Sequence, residues 1–175
     1  MRAFIAITLS QEIISNLKNW IECQDDSPWI KWTRPENLHL TIKFLGDINV
    51  NQLNNIKLLL LNICNRHKAF ALNIQNIGAF PNYQKPRIIW AGISPTRSLF
   101  SLASEISSSI TIGDSKEFHP HITLARLKEK HHYKMQFQNN IHFGKMNVCS
   151  INIIQSDLTP SGPIYKKIFL CKLRS

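Results

Sequence analysis

Acidic residues are scarce in this chain. Asp and Glu number 11 against 21 Lys and Arg, for a formal net charge of +10 over 175 residues. The imbalance points to a polyanionic partner, nucleic acid first, although charge speaks of association and is silent on chemistry. A basic protein with no such partner would carry the same charge. Charged residues make up only 18% of the chain against 43% apolar, which excludes a chain kept unfolded by its own charge. Cys23, Cys64, Cys149 and Cys171 include no C-x-x-C pair, so a zinc site or a thioredoxin-like motif has no support. Cys64, Cys149 and Cys171 lie among apolar neighbours and read as small core residues. A reducing cytoplasm is the simplest home for them. No apolar run reaches transmembrane length, and no membrane association is expected. The stretch Ala3 to Ile7 is too short for a secretory signal and leads straight into Ser10-Gln11-Glu12 without a cleavage site, so it reads as the first strand. No low-complexity linker divides the chain, and a single bilobal domain over 1–175 is expected.

What is present is a mixture of strand and helix patterns. Residues 2–9 read as a buried strand, after which Ser10 is placed to cap a helix bearing Ile13, Leu17, Trp20 and Ile21. A short strand at 29–32 and a turn at 34–37 precede a strong strand at 38–45. Asn51 is the expected cap of a second helix with Leu53, Ile56, Leu60 and Ile63 on one stripe. Phe70, Leu72 and Ile74 alternate as in a half-buried strand, 78–86 reads as a loop, and 87–93 as a buried strand. Pro95 introduces a third helix over about 97–110. A strand at 121–127, a polar and poorly periodic stretch at 128–140, and closing strands at 147–155 and 164–173 complete the chain, with a turn-rich segment at 157–163. Strands and helices mix without strict alternation, which predicts an α+β fold with a mostly antiparallel sheet. Strand, helix, strand and helix in the first half are echoed by strand, helix and strand in the second.

Each half carries a His-x-Thr triplet on a predicted strand: His39-Leu40-Thr41 and His121-Ile122-Thr123. Residues i and i+2 of a strand share a face, so each triplet sets an imidazole beside a hydroxyl with an apolar residue turned the other way. By this alternation Lys43 continues the polar face of the first motif. Ala125 holds the matching place in the second, followed by Arg126. A lone triplet, expected roughly 0.3 times by chance from the His and Thr content, reads as a solvated strand face. Two copies in corresponding places do not. Two imidazoles on opposite sides of a phosphorus suit in-line phosphoryl transfer without a metal, one taking a proton from the nucleophile and the other giving one to the leaving oxygen. Thr41 and Thr123 can donate hydrogen bonds to the phosphate oxygens, and Arg126 can add charge-assisted ones.

The segments Arg34-Pro35-Glu36-Asn37-Leu38-His39-Leu40-Thr41-Ile42-Lys43-Phe44-Leu45-Gly46 and His119-Pro120-His121-Ile122-Thr123-Leu124-Ala125-Arg126 resemble those of the 2H phosphoesterases, in particular the LigT-like RNA 2',3'-cyclic phosphodiesterases. Lys85 to Gly92 and Gln155 to Tyr165 add to the resemblance, which runs in the usual order along nearly the whole chain. It implies two pseudo-symmetric lobes with mostly antiparallel sheets around a central cleft. It implies His39 and His121 as catalytic residues, with His39 as acid and His121 as base. Thr41 and Thr123 would lie on the phosphate, and Arg126 and Phe44 would touch substrate. The implied reaction opens a terminal 2',3'-cyclic phosphate of RNA to a 2'-phosphate, with reversible 2'-5' RNA ligation as a related activity. No cofactor, metal or obligate protein partner is implied, and a monomer is expected. Two other readings stand beside it: an RNA-binding module without turnover, and a 2H enzyme for another cyclic or 2'-5' phosphodiester.

The remaining candidates read as structural. His119 lies outside the triplet register and reads as loop support. His67, His131, His132 and His142 read as surface histidines. Trp29, Trp32 and Trp90 are suited to stacking bases but fill cores more often. Arg87 stands at a strand start where it either lines the cleft or faces solvent. Lys166 and Lys167 read as solvated. No convergent set of carboxylate, thiol and imidazole ligands for a metal is evident.

Overall fold

Each helix begins where a side-chain oxygen can accept from an otherwise orphaned amide. The structure, a computed structural model, describes residues 1–24, 26–128, 140–160 and 162–174. Helix α1 (Gln11–Glu22) is capped by Ser10, which accepts from Ile13 N at 3.4 Å. Helix α2 (Val50–Cys64) is capped by Asn49 rather than Asn51. The reason is a reciprocal pair: Asn49 Oδ1 accepts from Gln52 N at 2.9 Å, and Gln52 Oε1 accepts from Asn49 N at 2.8 Å. Helix α3 (Arg97–Ser109) follows Thr96, whose hydroxyl accepts from Leu99 N at 3.2 Å.

Among the described residues nine strands form one sheet: β1 (Arg2–Thr8), β2 (Ile30–Trp32), β3 (His39–Asp47), β4 (Phe70–Phe80), β5 (Ile88–Ile93), β6 (His121–Leu127), β7 (His142–Val148), β8 (Ser150–Thr159) and β9 (Gly162–Lys172). The order is β7-β4-β5-β6-β3-β1-β8-β9, with β2 added to β6, and every ladder is antiparallel. β3 and β6 sit at the centre. Each is flanked by the strand that precedes it through a helix, β1 for β3 and β5 for β6, so the expected duplication is present. The outer strands are exchanged: β4 follows β3 in the chain but joins the β6 half, and β8 joins the β3 half.

All three helices cover one face. Ile13 and Leu17, Ile56 and Leu60, and Leu99 and Leu102 pack with Ile5, Leu40, Ile89 and Ile122 in one buried cluster. Among the described residues a second, small cluster joins Phe4, Ala6 and Ile154, with Tyr165 packed against it. Trp20 and Trp32 meet edge to face at 6.1 Å in the main core. No helix among the described residues is long and apolar enough to cross a membrane.

Several boundaries differ from the expectations. β4 runs through 78–80 as strand, because Gly78 accepts the Trp90 ring where a Cβ would lie 2.1 Å from it. β7 was absent from the predicted strands: Gly144, at φ +119, and a bulge opposite Ile74 and Gln75 interrupt its alternation. β8 and β9 stay paired to Thr159↔Gly162, so 157–163 is largely hairpin. Pro163 fits there because β9 is an edge strand. Cys149 is exposed, since it lies between β7 and β8 rather than within either. His67 is half-buried, with Nε2 2.6 Å from Glu105 Oε2, and is not a free surface histidine. His142 is exposed. His131, His132 and most of the polar 128–140 stretch lie outside the described residues.

Candidate active site

β3 and β6 meet through a single ladder pair, Leu40↔Ile122, both fully buried. These are the central residues of the two His-x-Thr triplets. An antiparallel pair has a local two-fold axis, so the triplets are related by it. His39 falls on the side of Thr123 and His121 on the side of Thr41, on the face turned from the core.

Past the triplets both strands bulge at the same step. Against β1, Ala6 pairs with Thr41 and Ile5 with Lys43, leaving Ile42 extra. Against β5, Trp90 pairs with Thr123 and Ile89 with Ala125, leaving Leu124 extra. One extra residue reverses the alternation that follows it. The sequence of burial is consequently identical over His39–Leu45 and His121–Leu127. Phe44 and Arg126 share the cleft face with Thr41 and Thr123, while Lys43 and Ala125 turn inward. Lys43 therefore does not continue the polar face of its motif. It is 6% exposed, and its Nζ donates to Asp114 O at 2.6 Å. Asp114 N in turn donates to Phe44 O at 2.9 Å. Gly113, at φ +92, makes this approach possible, because a Cβ there would lie 2.0 Å from Phe44 O. The segment leading to the second motif is thus tied to the strand of the first.

Each imidazole is held in the same way. His39 Nδ1 lies 2.6 Å from Asn37 O and His121 Nδ1 lies 2.7 Å from His119 O. A carbonyl only accepts, so Nδ1 is the donor in both rings, and Nε2 of the neutral form presents a lone pair. Here the halves part. His39 Nε2 is 2.9 Å from Thr41 Oγ1, whereas among the described residues Thr123 forms no matching bond with His121. Burial pulls both pKa values below the usual imidazole value. The positive charge of Arg126 lowers both further, and each also feels a second histidine, His121 for His39 and His119 for His121. Two aromatic rings pack around each. Phe4 and Tyr165 stand 4.8 and 5.3 Å from His39, and Phe80 and Trp90 stand 5.1 and 6.5 Å from His121.

The histidine and threonine of both triplets, with Phe44 and Arg126, line one cleft of about 1120 Å³. All six residues singled out in the sequence are therefore brought together. His119 also lines it, and its carbonyl does the supporting. Arg87 is exposed and stands outside the lining. Sequence reasoning missed Tyr165, Asn37 and the cleft-lining Lys31. Asn37 carried a legible signal, since it and His119 stand two residues before their histidines. Among the described residues no group of three or more His, Cys, Asp or Glu side chains is placed to hold a metal ion.

Two imidazoles related about one ladder pair thus face a single cleft lined by more cations than carboxylates, on an α+β fold. A family model for LigT-like phosphoesterases matches residues 7–90. An RNA 2',3'-cyclic phosphodiesterase of Archaeoglobus fulgidus is 30% identical over 174 residues, covering 96% of this chain and 98% of that protein. A crystal structure of a Thermus thermophilus protein superposes with a TM-score of 0.84 at 27% identity, covering 99% of this chain and 98% of that one. Escherichia coli LigT complexed with 3'-AMP superposes with a TM-score of 0.83 at 25% identity, covering 99% and 98%. The chain belongs to the LigT-like phosphoesterase family.

Proposed function

We propose that this protein hydrolyses the 2',3'-cyclic phosphate at an RNA end to a 2'-phosphate, using His39 and His121 as its acid and base. The observation that carries the reading is the pair of imidazoles related about Leu40↔Ile122, each with Nδ1 pinned to a carbonyl two residues earlier. The name of the Archaeoglobus relative and the 3'-AMP bound to the Escherichia coli neighbour supply the substrate class.

Water attacks phosphorus and loses a proton to Nε2 of His121, which has no protein partner among the described residues and is open to it. The bond from phosphorus to the 3' oxygen breaks on the opposite side. That oxygen takes the proton carried by Nε2 of His39. His39 ends neutral and His121 protonated, and exchange with solvent restores the pair. The Thr41 contact fits this division. In neutral His39 the Thr41 hydroxyl donates to Nε2; in protonated His39 the ring donates to Thr41 Oγ1, and the hydroxyl proton turns to the phosphate. The acid form and phosphate binding thus favour each other. Thr123 and Arg126 complete the oxyanion contacts, and Phe44 offers a half-exposed ring to the sugar or base. A ribose 5'-hydroxyl in the place of water attacks in the same in-line sense, gives its proton to His121 and displaces the 3' oxygen to leave a 2'-5' linkage, which the 3'-hydroxyl can reopen. Reversible ligation is therefore a side reaction of the same site.

The test is incubation of purified protein with RNA ending in a 2',3'-cyclic phosphate, in EDTA, followed by identification of the product. A 2'-phosphate end is expected. A 3'-phosphate, or activity lost on chelation and restored by a divalent ion, would overturn the mechanism. Tight RNA binding with no turnover would leave the RNA-binding reading in its place.

A further inference from the structure

The cleft is not uniform in charge. Its only acidic lining residues among those described are Asp114 and Glu117, both on the segment before the second motif, where Lys116 stands 3.6 Å from Asp114. At the other end, beside β2, the described lining carries Lys31, Arg34 and Arg126 and no carboxylate. β2 is only three residues long, yet it sets Lys31 directly opposite Arg126 in the antiparallel ladder. Residues paired in this way share a face with Cβ atoms about 5 Å apart, and like charges so placed destabilise a sheet. Both side chains are exposed to the cleft. On its other side Lys31 Nζ lies beside Gly162 at the start of β9, 3.6 Å from where a Cβ would stand. Asn37 Nδ2 donates to Pro163 O at 3.0 Å, which holds that hairpin end against the first motif. Two cations are thus built face to face at the mouth of the cleft, with no carboxylate of the described residues lining this end.

We propose that Lys31, facing Arg126 and flanked by Arg34, forms a second phosphate subsite that takes a backbone phosphodiester upstream of the cyclic end. RNA then runs out of the cleft over β2 and away from Asp114 and Glu117. This rests on the reading that the cleft works on RNA ends. It goes further in assigning Lys31 a role, in giving the RNA a direction, and in making an oligonucleotide a better substrate than a mononucleotide. The cavity, at about 1120 Å³, exceeds the roughly 300–1,000 Å³ of ordinary small-ligand sites, as a substrate longer than one nucleotide requires.

The experiment compares wild type, Lys31→Gln and Lys116→Gln on a short RNA with a 2',3'-cyclic phosphate end and on a 2',3'-cyclic mononucleotide. Lys31→Gln is expected to lower the oligonucleotide-to-mononucleotide ratio of kcat/KM about tenfold, the scale of one charge-assisted hydrogen bond. Lys116→Gln should leave that ratio within about twofold. Affinity for an uncleavable RNA ending in a 2'-phosphate is measured in parallel across salt concentrations. There Lys31→Gln should reduce the log–log salt slope by about 0.7, the value for one lost contact on a single strand. An unchanged ratio and slope in Lys31→Gln would overturn the subsite. Equal losses on both substrates would move Lys31 to the reacting phosphate, and a selective loss in Lys116→Gln would reverse the direction of the RNA. Because binding is read without turnover, a wild type that hydrolyses neither substrate would sink the proposed reaction while the subsite is still judged by the slope.

Discussion

The two motif strands share one frame and differ in what they hang on it. From His39 and from His121 the same order of cleft-facing and buried positions runs for seven residues, through the same bulge, about the same ladder pair. At the sixth position one strand presents the ring of Phe44 and the other the guanidinium of Arg126. At the third, Thr41 engages its histidine and Thr123 does not. At the fifth, Lys43 is buried and tied to Asp114 where the other strand has only Ala125. A two-fold frame supplies opposed imidazoles, as in-line displacement needs. The departures from two-fold symmetry make the surroundings of the imidazoles unequal, as the proposed acid and base require.

The largest effects should fall on what the halves have in common. His39→Ala and His121→Ala should each lower turnover by roughly 10²-fold or more, the scale of a positioned acid or base. The double variant should be little worse than the worse single one, because the residues act as a unit. Near-normal steady-state rates in either single variant would remove that histidine from the mechanism. Next come the central pair. Leu40→Ala and Ile122→Ala should each cost about 2–5 kcal/mol in urea unfolding, as fully buried large-to-small changes do. Losses under about 1 kcal/mol would mean that the halves are joined elsewhere.

The threonines sharpen the contrast. Thr41→Val should cut kcat by roughly tenfold and move the alkaline limb of its pH profile, because it deletes a partner of the acid. Thr123→Val should cut kcat/KM by a similar or smaller factor without moving either limb. Identical profiles would say that the Thr41–His39 contact is incidental.

The smallest effect concerns pH. Both imidazoles lie below their ordinary value through burial, with Arg126 adding to it. The kcat/KM bell rises as the base loses its proton and falls as the acid loses its own. Its centre should therefore lie on the acid side of about 6.5. Arg126→Gln removes a positive charge that opposes imidazolium, so both pKa values should rise and the bell should shift to higher pH while its height falls. A bell that stays in place would show that Arg126 acts on the substrate alone.

Much of this frame was legible in the sequence because strands and helices announce themselves by period. The stripes Leu53, Ile56, Leu60 and Ile63, and Leu99, Leu102 and Ile106, are buried as their spacing requires. The six cleft residues were found, Arg126 as the cation that follows the second triplet and Phe44 through the resemblance of its flank. Alternation alone set Lys43 on the polar face of Thr41, since a period of two has no means of registering an extra residue at Ile42 or Leu124. The same weakness hid β7, where a bulge and Gly144 break the pattern. Asn51 was mistaken for Asn49 as a cap because each is an Asn before an apolar stripe, and only the Gln52 partner decides between them. Lys31 was passed over because its meaning lies in facing Arg126, a pairing between distant parts of the chain that local pattern does not carry.

The central claim is that like-framed histidines do unlike jobs, and the leaving group tests it most directly. An alkoxide leaves poorly unless protonated, whereas a thiolate leaves unaided. The measurement is the hydrolysis rate of a substrate whose bridging 3' oxygen is replaced by sulfur, in His39→Ala and in His121→Ala. His39→Ala should regain much of its lost rate on the sulfur substrate, because the missing acid is no longer needed, while His121→Ala should stay slow, because water still lacks its base. Rescue of His121→Ala alone would exchange the two roles, and equal rescue of both would contradict the division of labour itself.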